Sequence, residues 1–146
     1  MKTGRTWLMR MLSPALLIIL LFFLFLPRPA VREIETAQEV EVVYQGEALE
    51  LTQAEREQLL TVLSTARCRP THLERRHPVQ PIQISVTTAA ASPMRRVTLE
   101  LGDRPRCTYP LARWTAYRVD RPDQLRAAVE PICQAARNRT ASERGG

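Results

Sequence analysis

The chain has 146 residues, 45% of them hydrophobic and 25% charged, with a formal net charge of +6. Setting aside one apolar N-terminal run leaves about 115 residues, enough for one small domain and too few for two. There are five glycines, two of them terminal, and no G-x-S-x-G, H-E-x-x-H, Gly-rich phosphate loop or C-x-x-C, so the common motif-bearing enzyme classes find no support.

The apolar run is Met11–Leu26, MLSPALLIILLFFLFL, which contains no charged residue. As a helix it rises ~24 Å, and Trp7, Leu8 and Met9 extend it toward the ~30 Å of a bilayer core if Arg10 snorkels to the headgroups. It is apolar on every face, unlike an amphipathic core helix. Cleavage after Ala30 would put Arg28 at the −3 position, and cleavage after Ala37 would put Glu35 there; neither suits a signal peptidase. The run reads as an uncleaved signal-anchor, a transmembrane helix. Lys2, Arg5 and Arg10 precede it with no acid among them. The positive-inside rule then keeps residues 1–10 in the cytoplasm and the C-terminal domain extracytoplasmic, in a single-pass protein of the cell membrane.

Charge is unevenly spread behind the anchor. Residues 32–57 carry eight glutamates against Arg32 and Arg56, whereas residues 67–146 carry fifteen arginines against seven acids. An arginine surplus can draw anionic polymers or lipid headgroups. An exported domain rarely meets nucleic acid, so no nucleic-acid partner is expected, and a merely solvated surface is the plainer reading.

Residues 27–38 (PRPAVREIETAQ) open with prolines and read as a semi-extended stalk. In Glu39–Tyr44, Val40 and Val42 alternate with Glu39 and Glu41, the pattern of a half-buried strand, and Ala48–Leu51 returns across the turn at Gly46. Thr52-Gln53-Ala54-Glu55 fits a capping box that opens a helix. Leu59, Val62, Leu63 and Ala66 form its apolar face, and the spacing predicts that it continues to Arg69 and stops at Pro70. Residues 70–81 read as a loop. Ile82, Ile84 and Val86 mark one strand, and Val97, Leu99 and Leu101 a second, antiparallel to it. Cys107 and Tyr109 start a third, at a sheet edge because of Pro110. Trp114–Val119 is a fourth, with Tyr117 and Val119 facing inward. A last helix starts at Asp120, carries Leu125, Ala128, Val129, Ile132 and Cys133 on one face, and should bend at Pro131. Residues 137–146 have no apolar pattern and read as a disordered tail. The expected fold class is α+β: a transmembrane helix over 11–26, then a two-layer domain over 39–136 with an antiparallel sheet and two helices on one face.

Three residue sets could carry chemistry. Outside the cytoplasm cysteines tend to pair, and spacing alone does not choose among three pairings; Cys68–Cys133 is preferred because both lie near helix carboxyl ends. The rival reading is a buried, reduced set, and a reactive Cys68 or Cys107 would support a thiol-dependent activity. Cys68, His72 and His77 form a C-x3-H-x4-H run of soft ligands that matches no standard zinc site, so no metal or other cofactor is assigned. Trp114 with Arg104, Arg106, Arg113 and Arg118 is the candidate partner surface, since tryptophan and arginine are enriched at binding hot spots; the rival reading has Trp114 cover the outer face of the sheet.

The order of a strand, Glu50-Leu51-Thr52 leading to Glu55 and a helix, antiparallel strands, then Tyr117-Arg118-Val119-Asp120 before a last helix resembles the small, uncharacterised single-anchor exported proteins of Gram-positive bacteria. That resemblance implies no activity, cofactor or site. The expected function is a non-enzymatic, membrane-anchored binding module, with the cytoplasmic membrane and an envelope or membrane protein as partners. An envelope sensor or assembly factor acting through the anchor is the alternative.

Overall fold

The computed structural model describes residues 14–23, 26–71, 79–91, 95–109 and 116–144. Residues 14–23 form helix α1. Eight strands follow: β1 (Arg28–Pro29), β2 (Glu39–Tyr44), β3 (Glu47–Leu49), β4 (Arg67–Thr71), β5 (Ile82–Thr87), β6 (Arg96–Leu101), β7 (Arg106–Thr108) and β8 (Ala116–Val119). Helix α2 (Gln53–Ser64) lies between β3 and β4, and α3 (Pro122–Arg144) follows β8. The strands form one sheet in the order β1-β4-β8-β7-β6-β5-β2-β3, with every pair of neighbours antiparallel.

Alternation along the central strands sets the two faces. Ile82, Ile84, Val86, Val97, Leu99 and Leu101 are all buried, while the residues between them are half-buried or exposed. The inward side chains share one cluster with Leu59 and Leu63 of α2 and Leu125, Val129, Cys133 and Ala136 of α3, so both helices pack on the same face. The β2–β3 hairpin turns on Gln45 (φ 53°) and Gly46 (φ 83°), the two positive-φ positions a tight hairpin matching strand twist requires. The predicted capping box forms: the Thr52 N–H donates to Glu55 Oε2 at 2.7 Å, and the Glu55 N–H donates to Thr52 Oγ1 at 3.3 Å.

The transmembrane helix expected over residues 11–26 is not supported. Among the described residues no helix is long and apolar enough to cross a membrane. The described part of helix α1 spans ten residues, and residues 11–13, 24 and 25 lie outside the described residues. The signal-anchor reading and the single-pass membrane placement with an extracytoplasmic domain rested on that span and fall with it.

The expected stalk is instead part of the domain. Ala30 and Val31 are buried, the Ala30 N–H donates to the Ala66 carbonyl at 3.0 Å, and a 3-10 turn spans Ile34–Thr36. Arg56 of α2 donates to the carbonyls of Ala37 (2.9 Å) and Gln38 (3.1 Å), clamping this segment to the helix. Helix α2 also ends earlier than the spacing predicts. Ala66 faces the core, and from Arg67 the chain takes up period-two alternation, with Cys68 inward between exposed Arg67 and Arg69. Pro70 is tolerated in β4 because β1 pairs only with Arg67 and Cys68, leaving that side of the strand open. Strand β7, expected at an edge, is internal between β6 and β8; Pro110 lies outside the described residues.

Residues 137–144 continue α3, which runs through Pro131. What this end lacks in apolar pattern it makes up in ion pairs to the acidic hairpin. Arg137 donates to Gln45 Oε1 (2.6 Å) and stacks 5.9 Å from the Tyr44 ring centre. Arg144 meets Glu47 at 3.1 Å, and Arg139 meets Glu55 at 3.1 Å. Burial opposes ionisation of Glu55, but the Thr52 N–H and the Arg139 guanidinium outweigh it and hold its carboxyl below the ordinary 4.5. A depressed carboxyl contributes stability above its unfolded pKa and loses it as pH falls through the folded value. Glu55→Gln is therefore expected to lower stability at neutral pH by ~1 kcal/mol, the usual worth of a cap. The gap to wild type should close as pH drops below 4.5, read as urea midpoints across an acid series. A gap that stays constant across the series would show that the ionised carboxylate contributes nothing.

Candidate partner surface

Strand register decides which outward side chains stand side by side. Arg69 of β4 is opposite Arg118 of β8, Arg118 is opposite Arg106 of β7, and Arg106 is opposite Glu100 of β6. Continuing across the sheet, Glu100 is opposite Gln83, and Gln83 opposite Val43. One transverse row therefore runs from three abreast arginines to an apolar end. Directly opposed residues sit with Cβ atoms about 5 Å apart, where like charges repel. The outer two arginines have acids: Arg69 meets Asp120 at 3.3 Å, and Arg106 pairs with Glu100. Arg118, between them, is exposed and has no hydrogen bond or ion pair among the described residues.

The neighbouring row carries hydroxyls. Thr71, Thr108, Thr98 and Ser85 lie on the same outward face, with Ser85 Oγ 3.0 Å from Thr98 Oγ1 and Thr108 Oγ1 donating to the Thr98 carbonyl at 3.4 Å. Arg67, exposed at the start of β4, carries the basic surface round to a cleft of about 450 Å³ that it lines with Pro27, Asp120, Arg121 and Gln124. The opposite end of the sheet is acidic, with Glu39 exposed and Glu41 paired to Arg96 at 2.7 Å. The outer face is thus polarised from acid at β2 to base at β8 and β4.

Of the residues singled out in the sequence, Arg106 and Arg118 are brought abreast. Arg104 lies in the β6–β7 turn, where its N–H donates to Gln80 Oε1 at 3.4 Å. Arg113 and Trp114 lie outside the described residues. Arg69 was missed because it was read as a helix end. The signal available was the alternation of Arg67, Cys68 and Arg69, which is a strand's period and not a helix's.

The bridge expected between Cys68 and Cys133 does not form. All three cysteines are free and buried. Cys133 faces the core from α3, and burial, then the nearby Glu130, push its thiol up to about 11. Cys68 points instead toward Tyr109, its Sγ 3.9 Å from the phenol oxygen. Of the soft-ligand run, Cys68 is turned into the core, and His72 and His77 lie outside the described residues. Among the described residues no group of three or more His, Cys, Asp or Glu side chains could hold a metal ion. No protein-family model, curated protein or solved structure matches the chain.

Proposed function

We propose that the domain is a binding module whose outer sheet face takes an acidic segment of a partner protein. The observation that carries this reading is Arg118, exposed and without a counter-charge among the described residues, held between Arg69 and Arg106 by strand register. Three abreast guanidiniums are unfavourable in the free protein and become favourable when carboxylates settle over them. Guanidinium forks match carboxylates in paired hydrogen bonds, and the adjacent hydroxyl row can complete them. The described part of the face presents no outward aromatic ring on which a base could stack, which favours a carboxylate chain over nucleic acid.

Fluorescence anisotropy of a labelled oligoglutamate peptide with the full chain tests this. Binding is expected at low salt and should weaken as ionic strength shortens the Debye length toward ~8 Å. Arg118→Glu should weaken it roughly tenfold or more, since reversal removes an attraction and adds a repulsion. Arg126→Glu, on α3 in the helical layer, should leave it within about twofold. No binding by the wild type, equal binding by Arg118→Glu, or tighter binding of a single-stranded oligothymidine would each overturn the acidic-segment reading.

A further inference from the structure

The start of β4 and the end of β8 leave the sheet side by side. The Asp120 N–H donates to the Arg67 carbonyl at 2.8 Å, which sets Arg121 one residue beyond that bond. Both arginines are exposed, and both line the cleft of about 450 Å³ between the end of α2 and the first turns of α3. A cleft of that size lies within the range of small-molecule sites. Its floor is apolar: Ala66 and Leu125 are buried, Val62 is half-buried, and Ala128 is exposed at the rim.

The charges of the cleft do not cancel. Among the described residues the Arg121 side chain makes no hydrogen bond or ion pair, and Arg67 makes only a long bond to the Ser64 carbonyl, at 3.4 Å. Asp120, the one acid among the described lining residues, is drawn to Arg69 at 3.3 Å. Arg121 is also held at φ 48°, a left-handed conformation that costs free energy for any residue with a Cβ. Glycine would take it without strain, so the fold alone gives no reason for an arginine there. An anion with an aliphatic tail satisfies both halves of the cleft. Its head takes paired hydrogen bonds from guanidinium, and its tail covers the apolar floor. A bare inorganic anion would leave that floor in water.

We propose that this cleft binds a monocarboxylate with a short aliphatic tail, such as a medium-chain fatty acid, with Arg67 and Arg121 holding the carboxylate and Val62, Leu125 and Ala128 the tail. The site goes beyond the acidic-segment reading and does not depend on it, because Arg118 is not among the lining residues. The two parts of the ligand contribute unequally. An exposed ion pair is screened by water and salt, so the head contributes a modest share. The tail contributes more, since each methylene removed from water is worth up to about fourfold in affinity, and about half of that logarithmically where the cleft stays open on one side.

The test is an NMR titration of the isotope-labelled full chain with octanoate, kept below the concentration at which it forms micelles. Saturable shifts are expected at the backbone N–H groups of Ala66, Gln124 and Ala128, with a Kd of about 1 mM, ordinary for so small a ligand. Affinity should rise about two- to fourfold per methylene from butanoate to octanoate, and uncharged octanamide should bind about fivefold more weakly. Arg121→Gly relieves the positive φ, so its melting temperature should hold or rise while octanoate binding falls about fivefold; Arg67→Gln should weaken binding to a similar extent. Ala128→Phe, which fills the rim from an exposed helical position, should block the tail. Arg118→Glu should bind octanoate within about twofold of wild type, which separates failure of this site from failure of the outer-face reading. Shifts confined to other residues, affinity that is flat with tail length, equal binding of octanamide, equal binding by Arg121→Gly, or a lowered melting temperature in Arg121→Gly would each overturn the site.

Discussion

Gly102→Ala is expected to destabilise the domain by ~1–3 kcal/mol, the usual cost of overpacking a filled interior. Gly102 sits where β6 turns toward β7. A Cβ there would overlap Gln80 Oε1 and lie 2.6 Å from Pro81 Cδ. Neither neighbour can yield easily. Gln80 is buried and accepts from the Arg104 N–H, and Pro81 is a rigid ring whose carbonyl accepts from Gln45 at 2.6 Å. Expelling Gln80 would leave a buried amide group without its partner, a second cost of similar size. The expected reading is a lower urea midpoint with an unchanged slope, since the same surface is exposed on unfolding. Gln80→Ala added to Gly102→Ala should recover only part of the loss, because Pro81 Cδ remains in place. A Gly102→Ala protein within about 0.5 kcal/mol of wild type would show that the turn has slack. The turn matters beyond stability, because it delivers Arg106 into register with Arg118.

Period-two patterns and caps were legible in the residues themselves. Ile82, Ile84 and Val86 against Gln83, Ser85 and Thr87 allow only one face inward, and Thr52 with Glu55 announces a helix start on local chemistry alone. What was not legible came from partners distant in the chain. The Arg137–Arg144 stretch has no apolar stripe, so helicity there depends on Glu47 and Glu55, more than eighty residues away. The Pro-rich segment at 27–31 reads as solvent-exposed linker until β4 supplies the hydrogen-bonding edge that buries Ala30. Residues 11–26 look like a bilayer span by composition, but composition alone does not make a span, and among the described residues no helix is long and apolar enough to cross a membrane. The basic surface was half legible. Arg106 and Arg118 could be picked out as charged residues near strands, but that they stand abreast with Arg69 follows from strand order, and β4 and β8 are far apart in sequence.

Leu99→Ala is expected to be the most damaging single truncation in the core, at ~3–5 kcal/mol, the range for a fully buried leucine whose surroundings cannot collapse. Leu99 is completely buried on β6, opposite Ile84 on one side and Cys107 on the other. It is held by ladder hydrogen bonds from both neighbours, so the backbone is not free to close the gap. Against the ~5–15 kcal/mol that a domain of this size commands, that loss is a third or more of the total. Its local signature should be as informative as its size. Opening the core beside β7 exposes Cys107 before it exposes Cys133, which faces the core from α3. In native buffer, alkylation of Cys107 should therefore accelerate more than that of Cys133, read by peptide mass spectrometry, since sub-global opening precedes complete unfolding. Equal acceleration at both thiols would mean that the sheet and helical layers open as one unit. The β6–β7 ladder would then not be the joint on which the arginine row depends.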